Sequence, residues 1–422
     1  MGGFRLAGPE DIDTQEDAVA LGDADQKLDY PIPAPAALEP PTEWTELRGR
    51  CPVAPVTLPS GDTASLLTRY DDVRQVLSDP RFTRHLNAPD AARIAANESG
   101  GVFNGALASA MPEETHQQWR RLVGKWFTAK RMTQLRPGIE AMTDRLVDAM
   151  LEHGAPADLR SMVGFPLPVW VICDMLGVPE ADRDRFAYWS NTLLSLTRYE
   201  QDEIDAAQAE FRAYMVGHIA TTRENLGEDL ISELIATAET HGHVMPDEAL
   251  LATAQGLLVA GHETTSNMIG KMVGMLLVDR GRWEALVADP SLVRTAVEEL
   301  LRMDANGGFG IPRYITEDAE VGGTLVPRGT TVVCNLSAAN RDERVFPDAH
   351  QLDLTRSPNT HLAFGAGGHS CLGQSLARTE LQAVLSVLLR RLPTLELAVA
   401  PEDLARVEGL VVGGLQELPV RW

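Results

Sequence analysis

The sequence has little cysteine and little positive charge, and each shortage excludes a class of protein. Only four cysteines occur among its 422 residues, at Cys51, Cys173, Cys334 and Cys371, and no two form a CxxC pair. A disulfide framework or a four-cysteine zinc site is therefore not expected, and a reducing cytoplasm is. The 37 Lys and Arg residues stand against 60 Asp and Glu, a formal net charge of −23. This balance argues against nucleic acid or an anionic membrane as the main partner, because both select basic surfaces.

Long apolar runs are also missing. The longest, 250–261, ends at His262 and Glu263, and it is well short of the roughly 20 residues that a helix needs to span a bilayer. The N-terminus, MGGFRLAGPEDIDTQEDAV, has no apolar core and is acidic where a secretory signal is basic. We therefore expect a cytoplasmic protein without a membrane anchor.

Helical periodicity is what the sequence does contain. It predicts helices at 113–126, 138–153, 168–175, 180–196, 201–225, 228–241, 247–279 and 281–301. Further helices are predicted at 70–77 and 372–392. Short strands are predicted at 319–321 and 331–334, and hairpins at 57–68 and in the tail 394–422. The expected fold class is mainly α with small β-sheets.

The domain organisation is predicted to be simple. Residues 1–45 are acidic and then proline-rich, which predicts a flexible lead-in. No linker divides the remainder, so 46–422 is predicted to form a single domain. The irregular stretch 84–112, rich in Gly, Ala and Asn, predicts a lid or binding loop.

The segment FGAGGHSCLG, residues 364–373, contains the first candidate site. Its glycines permit sharp turns and a close approach to a ligand, and Cys371 precedes a predicted helix, whose dipole favours an anionic thiolate. A dinucleotide loop is not expected, because Ser370 replaces the last glycine of G-x-G-x-x-G. A zinc site lacks clustered ligands beyond His361 and His369. A buried structural cysteine is the commonest alternative, but this context suits an axial thiolate ligand to haem iron.

The long helix predicted over 247–279 contains the second candidate site. In its middle stand Ala260, Gly261, His262, Glu263 and Thr264. A carboxylate within an apolar helix is costly unless it has a partner or a task, and the small residues leave room for a flat cofactor, a bound gas or water. A partly exposed Glu263 on an amphipathic face is the alternative. A metalloprotease HExxH motif is excluded, because Ser266 stands where the second histidine is required.

Two weaker patterns also place possible partners on one helix face. Glu299 and Arg302, in EELLR, are three residues apart and can pair, although this spacing usually marks a solvated ion pair. His116 and Arg120 are one turn apart and could hold a carboxylate or a phosphate. A generic amphipathic helix is the simpler explanation of the second pair.

Together these four patterns resemble the cytochrome P-450 family. FGAGGHSCLG is similar to that family's haem-ligand loop, AGHETT to its oxygen-activation motif and EELLR to its ExxR motif, and their order along the chain agrees. The resemblance extends from about residue 45 to the end and is greatest to the soluble bacterial branch. It implies the cytochrome P-450 fold, with a long central helix over a haem and a cysteine-ligand loop. Residues 46–422 would then be one catalytic domain.

The resemblance also implies how the protein would hold haem b. Cys371 would be the thiolate ligand of the iron. Further haem contacts would come from Ala260, Gly261, Phe364, Gly365 and Gly373. The two propionates would be bound by His116, Arg120, Arg313 and His369.

Two other groups of residues acquire roles from the same resemblance. Glu263 and Thr264 would be an acid–alcohol pair that relays protons to oxygen. Glu299, Arg302 and Arg356 would form a structural triad under the haem. The intact Glu263–Thr264 pair argues against a non-catalytic haem-binding protein, which is the alternative from another functional class.

The implied activity is that of a haem-thiolate monooxygenase, which inserts one oxygen atom from O2 into a medium-to-large apolar small molecule. Hydroxylation, as in a natural-product tailoring step, is the main expectation, and epoxidation, desaturation and oxidative coupling are alternatives. Electrons from NAD(P)H should arrive through a separate reductase and ferredoxin, because the chain has no module for either. An acidic ferredoxin needs a basic docking face, which we expect at Arg121, Lys125, Lys130 and Arg131. A monomer is expected.

Details around the substrate are less constrained by motifs. Pocket residues are predicted at Leu257, Phe309, Ile311 and Val412. Gly307, Gly308 and Gly310 precede Arg313, and they would either make room for a bulky substrate or add flexibility. The sequence HQQWRR departs from the HTRLRR of many bacterial members, so Gln118 and Trp119 should alter local contacts.

Overall fold

The computed structural model describes residues 27–94, 113–193, 199–240, 245–407 and 412–422. The predicted loop 84–112 lies outside the described residues from position 95 onward. The α-helices are α1 (Glu43–Arg50), α2 (Tyr70–Ser78), α3 (Glu113–Val123), α4 (Ala129–His153), α5 (Pro166–Met175), α6 (Arg183–Leu193), α7 (Gln201–Glu224), α8 (Leu230–Thr240), α9 (Asp247–Leu277), α10 (Arg280–Ala288), α11 (Val293–Arg302), α12 (Leu336–Ala339) and α13 (Gln374–Arg391). The β-strands are β1 (Leu28–Asp29), β2 (Val53–Thr57), β3 (Thr63–Leu67), β4 (Phe82–Thr83), β5 (Ala157–Asp158), β6 (Ile311–Ile315), β7 (Ala319–Val321), β8 (Thr324–Val326), β9 (Thr331–Cys334), β10 (Glu396–Leu397) and β11 (Pro419–Arg421).

The strands form small sheets, which confirms the predicted fold class. One sheet has the order β1-β2-β3-β9-β6-β4, another has β10-β11-β5, and β7 pairs with β8. The hairpin predicted at 57–68 is β2 and β3, which begins earlier, at Val53. In the tail, β10 pairs antiparallel with β11 as predicted. The register of β6 and β9 sets Arg313 opposite Val332.

Two helix bounds differ from the prediction for identifiable reasons. The single helix predicted at 281–301 is divided into α10 and α11, because Asp289 accepts a hydrogen bond from the Ser291 amide at 3.0 Å and Pro290 cannot donate one. Helix α4 begins at Ala129, not at 138, and it contains Pro137. The Thr128 hydroxyl caps its first turn.

Part of the predicted lead-in is packed against the rest of the fold. Strand β1 pairs with β2, and the Tyr30 hydroxyl donates to the carbonyl of Phe309 at 2.5 Å. The guanidinium of Arg406 donates to backbone carbonyls of Ala36 and Ala37. Residues 27–45 are therefore part of the folded domain, and the domain boundary predicted at residue 45 is wrong. The segment 1–26 lies outside the described residues.

Helix α9 runs through the main hydrophobic core. Most of its residues are buried, and it packs against α5, α6, α7 and α13. Because α13 directly follows the cysteine loop, this packing places that loop and the centre of α9 in one structural unit. Among the described helices, none is long and apolar enough to cross a membrane.

Candidate active site

The loop that carries Cys371 is held by its own backbone. The amide of Cys371 donates to the carbonyl of Phe364 at 2.8 Å. Gly365 and Gly367 have φ angles of 68° and 71°, left-handed values that glycine adopts without strain. A Cβ at Gly367 would also lie 2.5 Å from the carbonyl oxygen of Leu77 in α2. The predicted sharp turn therefore depends on glycine at these positions.

The Cys371 thiol is not made acidic by the loop alone. The residue is exposed, but protein atoms surround the thiol on most sides, and this burial raises its pKa. A hydrogen bond from the Gly373 amide and the charges of Arg120 and Arg378 act in the opposite direction without reversing the shift. The helix start therefore favours the thiolate as predicted, through the Gly373 amide that precedes Gln374, but the burial of the thiol outweighs this effect. A coordinated metal ion would deprotonate such a thiol directly.

Three of the predicted propionate ligands meet beside Cys371. The ring centroids of His116 on α3 and His369 on the loop are 4.3 Å apart. The guanidinium of Arg120, one turn after His116, donates to Oγ of Ser370 at 3.2 Å. Two elements far apart in sequence thus place basic and hydrogen-bonding groups at one location, which suits an anionic ligand.

Arg313 lies apart from these three side chains, on β6. It is 5% exposed, and its Nη1 donates to the carbonyl of Pro312 at 2.9 Å. Burial lowers the pKa of Arg313 to about 10, and the charge of Arg84 acts in the same direction. Within the part of the chain that the structure describes, no Asp or Glu forms an ion pair with Arg313. A cation buried in this way suits a bound carboxylate.

One face of α9 is exposed although the helix is otherwise mostly buried. Ala260 and Thr264, one turn apart, are exposed, and the Thr264 hydroxyl donates to the Ala260 carbonyl at 2.7 Å. Gly261 faces another neighbour, since a Cβ there would lie 2.6 Å from Cδ1 of Ile172 in α5. A side chain at Gly261 would therefore displace that of Ile172, whereas Ala260 and Thr264 line the exposed face.

Glu263 and His262 are both fully buried. The Glu263 side chain thus lies on the core side of α9, whereas Thr264 lies on the exposed face. The His262 ring packs edge-on against Phe165, with centroids 4.5 Å apart. Burial lowers the pKa of His262 to about 3, so this imidazole is neutral at neutral pH and is not an acid.

The predicted triad is assembled and fully buried at its centre. Arg302 donates to both carboxylate oxygens of Glu299, at 2.7 and 2.8 Å, and neither side chain is exposed. Arg356 contacts the same carboxylate at 3.1 Å. Arg302 also donates to the carbonyl of Ala349 at 2.7 Å. The pair is therefore not the solvated one that its spacing usually marks, and it joins α11 to the irregular segment that follows α12.

A second ionic network, which the sequence patterns did not identify, lies behind the cysteine loop. Glu298 accepts hydrogen bonds from Arg378 of α13 at 2.7 Å and from His361 at 3.1 Å. Burial alone would raise the pKa of Glu298, but these two hydrogen bonds outweigh it and lower the pKa to about 2. The Arg378 guanidinium also lies over the Phe364 ring, 4.4 Å from its centroid. The only indication of this network in the sequence is that Glu298 directly precedes Glu299 of the ExxR pair.

The predicted pocket residues do not share one environment. Phe309 is 2% exposed and packs edge-on against Tyr30, with ring centroids 5.2 Å apart. Its assignment to the pocket is wrong, because the packed lead-in covers its ring. Leu257 belongs to the main core. Ile311 and Val412 are partly exposed, and Cδ1 of Ile311 lies 3.8 Å from where Gly365 would carry a Cβ.

The glycine-rich segment before Arg313 has a defined backbone. Gly308 and Gly310 have φ angles of 86° and 87°, and a Cβ at Gly310 would lie 2.8 Å from the carbonyl oxygen of Cys334. Backbone geometry therefore explains why glycine stands at these two positions. Neither room for a bulky substrate nor loop flexibility is needed to explain them. Gly307 is exposed.

Most of the predicted basic face is on the surface. Arg121, Lys125 and Lys130 are exposed. Lys125 follows Gly124, at which a Cβ would lie 3.6 Å from Cδ1 of Leu372, the neighbour of Cys371. Arg131 is engaged differently, because its guanidinium lies over the Trp126 ring at 3.9 Å from the centroid.

Comparisons with known proteins identify relatives of this chain. The family described as Cytochrome P-450 matches residues 283–408. Nocardicin C N-oxygenase from Nocardia uniformis subsp. tsuyamanensis is 42% identical over 93% of this chain and 98% of its own. Mycinamicin IV hydroxylase/epoxidase from Micromonospora griseorubida is 42% identical over 90% of this chain and 94% of its own.

Solved structures show the same fold. The putative thioether synthase SgvP, involved in the tailoring step of griseoviridin, superposes with a TM-score of 0.87 and 39% identity, over 94% of this chain and all of that one. A mutant of the mixed-function enzyme MycG, in complex with mycinamicin IV, gives a TM-score of 0.84 at 40% identity and the same coverage. The matches extend over nearly the whole of the bacterial relatives, and the family match spans the ExxR pair and the cysteine loop. The chain therefore belongs to the cytochrome P-450 family and is a monooxygenase.

Proposed function

We propose that this monooxygenase holds haem b through Cys371 and inserts one oxygen atom of O2 into a medium-to-large, mostly apolar small molecule, chiefly by hydroxylation. The observation that carries the proposal is the meeting of His116, Arg120 and His369 beside the exposed Cys371. Basic and hydrogen-bonding groups next to a thiol suit a flat iron ligand that bears carboxylates.

The other described residues also fit a haem in charge and shape. The buried Arg313 suits a propionate, because within the described residues it pairs with no acid. The small Ala260 side chain leaves space on the exposed face of α9 for a flat group and a small gas molecule. Phe364, held by Arg378, would pack beside the Cys371 sulfur. Gly365 and Gly373 would shape the loop around it.

When bound, the haem supplies O2 activation and the oxidising centre, and the chain supplies position and protons. The Thr264 hydroxyl donates its hydrogen bond to the Ala260 carbonyl, so its oxygen lone pairs are left to accept a hydrogen bond at the exposed face. Glu263, buried next to it in the sequence, would deliver protons from the interior to that face. His262 is neutral and would take no part in the relay.

The relatives support a natural product as the substrate. One is named for nocardicin C and another for mycinamicin IV, and a solved relative is described as acting in the tailoring step of griseoviridin. The second is named a hydroxylase/epoxidase, so epoxidation at the same site is the second candidate function. Desaturation and oxidative coupling have no such support.

The electron source is proposed to be a cytoplasmic ferredoxin, reduced by a ferredoxin reductase at the expense of NAD(P)H. The exposed Arg121, Lys125 and Lys130 support this proposal in a chain of net charge −23. Arg121 and Lys125 directly follow Arg120 and Gly124, which lie against the cysteine loop. A locally basic face on an acidic protein favours one approach orientation of an acidic partner. The chain is proposed to act as a monomer.

Substrate-dependent turnover tests the proposed function. Holoprotein would be screened against natural-product libraries for a low- to high-spin shift, and each hit incubated with NADPH, ferredoxin and its reductase. We expect NADPH consumption that depends on the compound and a product heavier by one oxygen atom. Tight haem binding with no compound-dependent consumption would instead indicate the non-catalytic alternative.

A further inference from the structure

The C-terminal half of α9 contains a buried charge that the proposed chemistry does not use. Lys271 is 2% exposed, and its Nζ donates to Oδ2 of Asp304 at 2.6 Å and to the carbonyl of Asn306 at 2.7 Å. A buried ammonium group is costly unless it is paired and hydrogen-bonded. Both partners lie in the short segment between α11 and β6, so Lys271 fixes that segment to α9.

The same segment is also joined to the C-terminal part of the chain. The Asn306 side-chain amide donates to the carbonyl of Gly414 at 3.0 Å, and the Asn306 backbone amide donates to Oδ1 of Asp304 at 3.0 Å. Asp304 thus links the Lys271 charge to the turn that presents Asn306. We call Lys271, Asp304 and Asn306 the Lys271 cluster.

Close packing shows that little room for adjustment exists at this junction. A Cβ at Gly413 would overlap the backbone carbonyl of Asn306, and a Cβ at Gly414 would overlap the side chain of Asn267. Asn267 lies one turn before Lys271 on α9 and is buried. The backbone at Gly413 and Gly414 therefore lies directly against Asn306 and against the Asn267 side chain of α9, with the Lys271 cluster supplying the polar contacts.

Both segments lead directly to residues assigned to the substrate pocket. The first continues into β6, where Ile311 approaches the cysteine loop. The second begins with the partly exposed Val412. We propose that the Lys271 cluster sets the spacing between Ile311, Val412 and α9, and thereby determines which substrates fit. This inference rests on the proposed function, whose apolar substrate would contact these two predicted pocket residues.

The test compares a small and a bulky ligand that both coordinate haem iron through nitrogen. Imidazole and clotrimazole would be titrated into holoprotein, with dissociation constants read from the Soret band. Lys271→Met and Asn306→Ala should each change the ratio of the two constants by about tenfold, because displaced pocket walls affect the bulky ligand more. Asn306→Ala keeps the ion pair, so it remains informative if Lys271→Met does not fold.

Two further variants separate pocket shape from stability. Lys271→Met/Asp304→Asn removes both charges, so it should unfold at higher urea than Lys271→Met alone and still show the altered ratio. Asp342→Asn is the matched control. Asp342 is also buried and forms an ion pair with Arg344, but its carboxylate accepts a hydrogen bond from the Tyr70 amide at the start of α2. It should lower stability and leave the ratio unchanged.

The outcomes distinguish failure of this inference from failure of the proposed function. A ratio that stays within about twofold of the parent in Asn306→Ala and the double variant overturns the role of the Lys271 cluster and leaves the proposed function intact. A parent protein that binds neither azole at a haem iron overturns both.

Discussion

The indole Nε1 of Trp119 donates a hydrogen bond of 2.8 Å to Oγ1 of Thr253. This bond joins α3, which carries His116 and Arg120, to the central helix α9. The Trp119 ring also stacks near His116, with centroids 5.8 Å apart. One of the residues that distinguish HQQWRR from HTRLRR, Trp119, therefore connects the proposed propionate ligands to the oxygen-activation helix.

Loss of the Trp119–Thr253 bond should weaken haem retention. We expect Trp119→Phe to lower the free energy of unfolding by about 1 kcal/mol, the usual value of one hydrogen bond, and to speed haem transfer to apomyoglobin several-fold. Thr253→Val should have a similar effect, and the double variant should be little worse than either single one. Strictly additive effects on the transfer rate would show that the two side chains act independently.

A buried carboxylate on α13 should make stability depend on pH. Burial raises the pKa of Glu380 to about 8 from its ordinary value of 4.5. A raised folded-state pKa means that the contribution of Glu380 is fully present below about pH 4.5 and is lost as the pH rises through about 8. Urea unfolding should therefore show the stability of Glu380→Gln improving relative to the parent from pH 5 to pH 8. A constant difference between the two proteins over that range would contradict the buried, protonated state.

Charge reversal on the basic face should slow reduction by ferredoxin. We expect Arg121→Glu/Lys125→Glu to lower the association rate about tenfold or more at low ionic strength, with a smaller effect at high salt. Stopped-flow reduction under CO measures this rate. Arg212→Glu is the control, because this exposed arginine lies on α7 and pairs with Glu248. Equal losses in the two proteins would argue against a specific docking face.

Removal of the Thr264 hydroxyl should uncouple electron use from oxygenation. With a substrate in hand, Thr264→Ala should consume NADPH at a similar rate but form about 10- to 100-fold less product, because a proton relay typically contributes at least this factor. Thr264→Ser should restore most of the product, since it keeps the hydroxyl. Hydrogen peroxide release measured beside product gives the coupling ratio, and an unchanged ratio in Thr264→Ala would remove Thr264 from the relay.

What the sequence could predict was the chemistry that is local in the chain. Gly365, Gly367 and Cys371 stand within one short loop, and Glu299 and Arg302 are one helical turn apart, so their spacing already indicated a turn and an ion pair. The helical periods around α9 were equally clear. These features depend on neighbouring residues, and the structure places them as expected.

What the sequence could not predict depends on contacts between distant segments. Phe309 is an apolar side chain of the kind that lines pockets, yet Tyr30, from the predicted lead-in, covers it. Lys271 meets Asp304 only because α9 and the segment after α11 pack together. The pKa of Cys371 could not be predicted either, since it depends on the burial of the thiol as well as on the Gly373 amide.

The ferrous–CO spectrum of the holoprotein tests the thiolate assignment of Cys371 most directly. We predict a strongly red-shifted Soret band in the parent protein and in Cys51→Ser, whose partly buried cysteine lies elsewhere. Cys371→Ala should lose the band, because no thiolate would remain at the iron. A parent protein without the band, or its persistence in Cys371→Ala, would contradict the central claim.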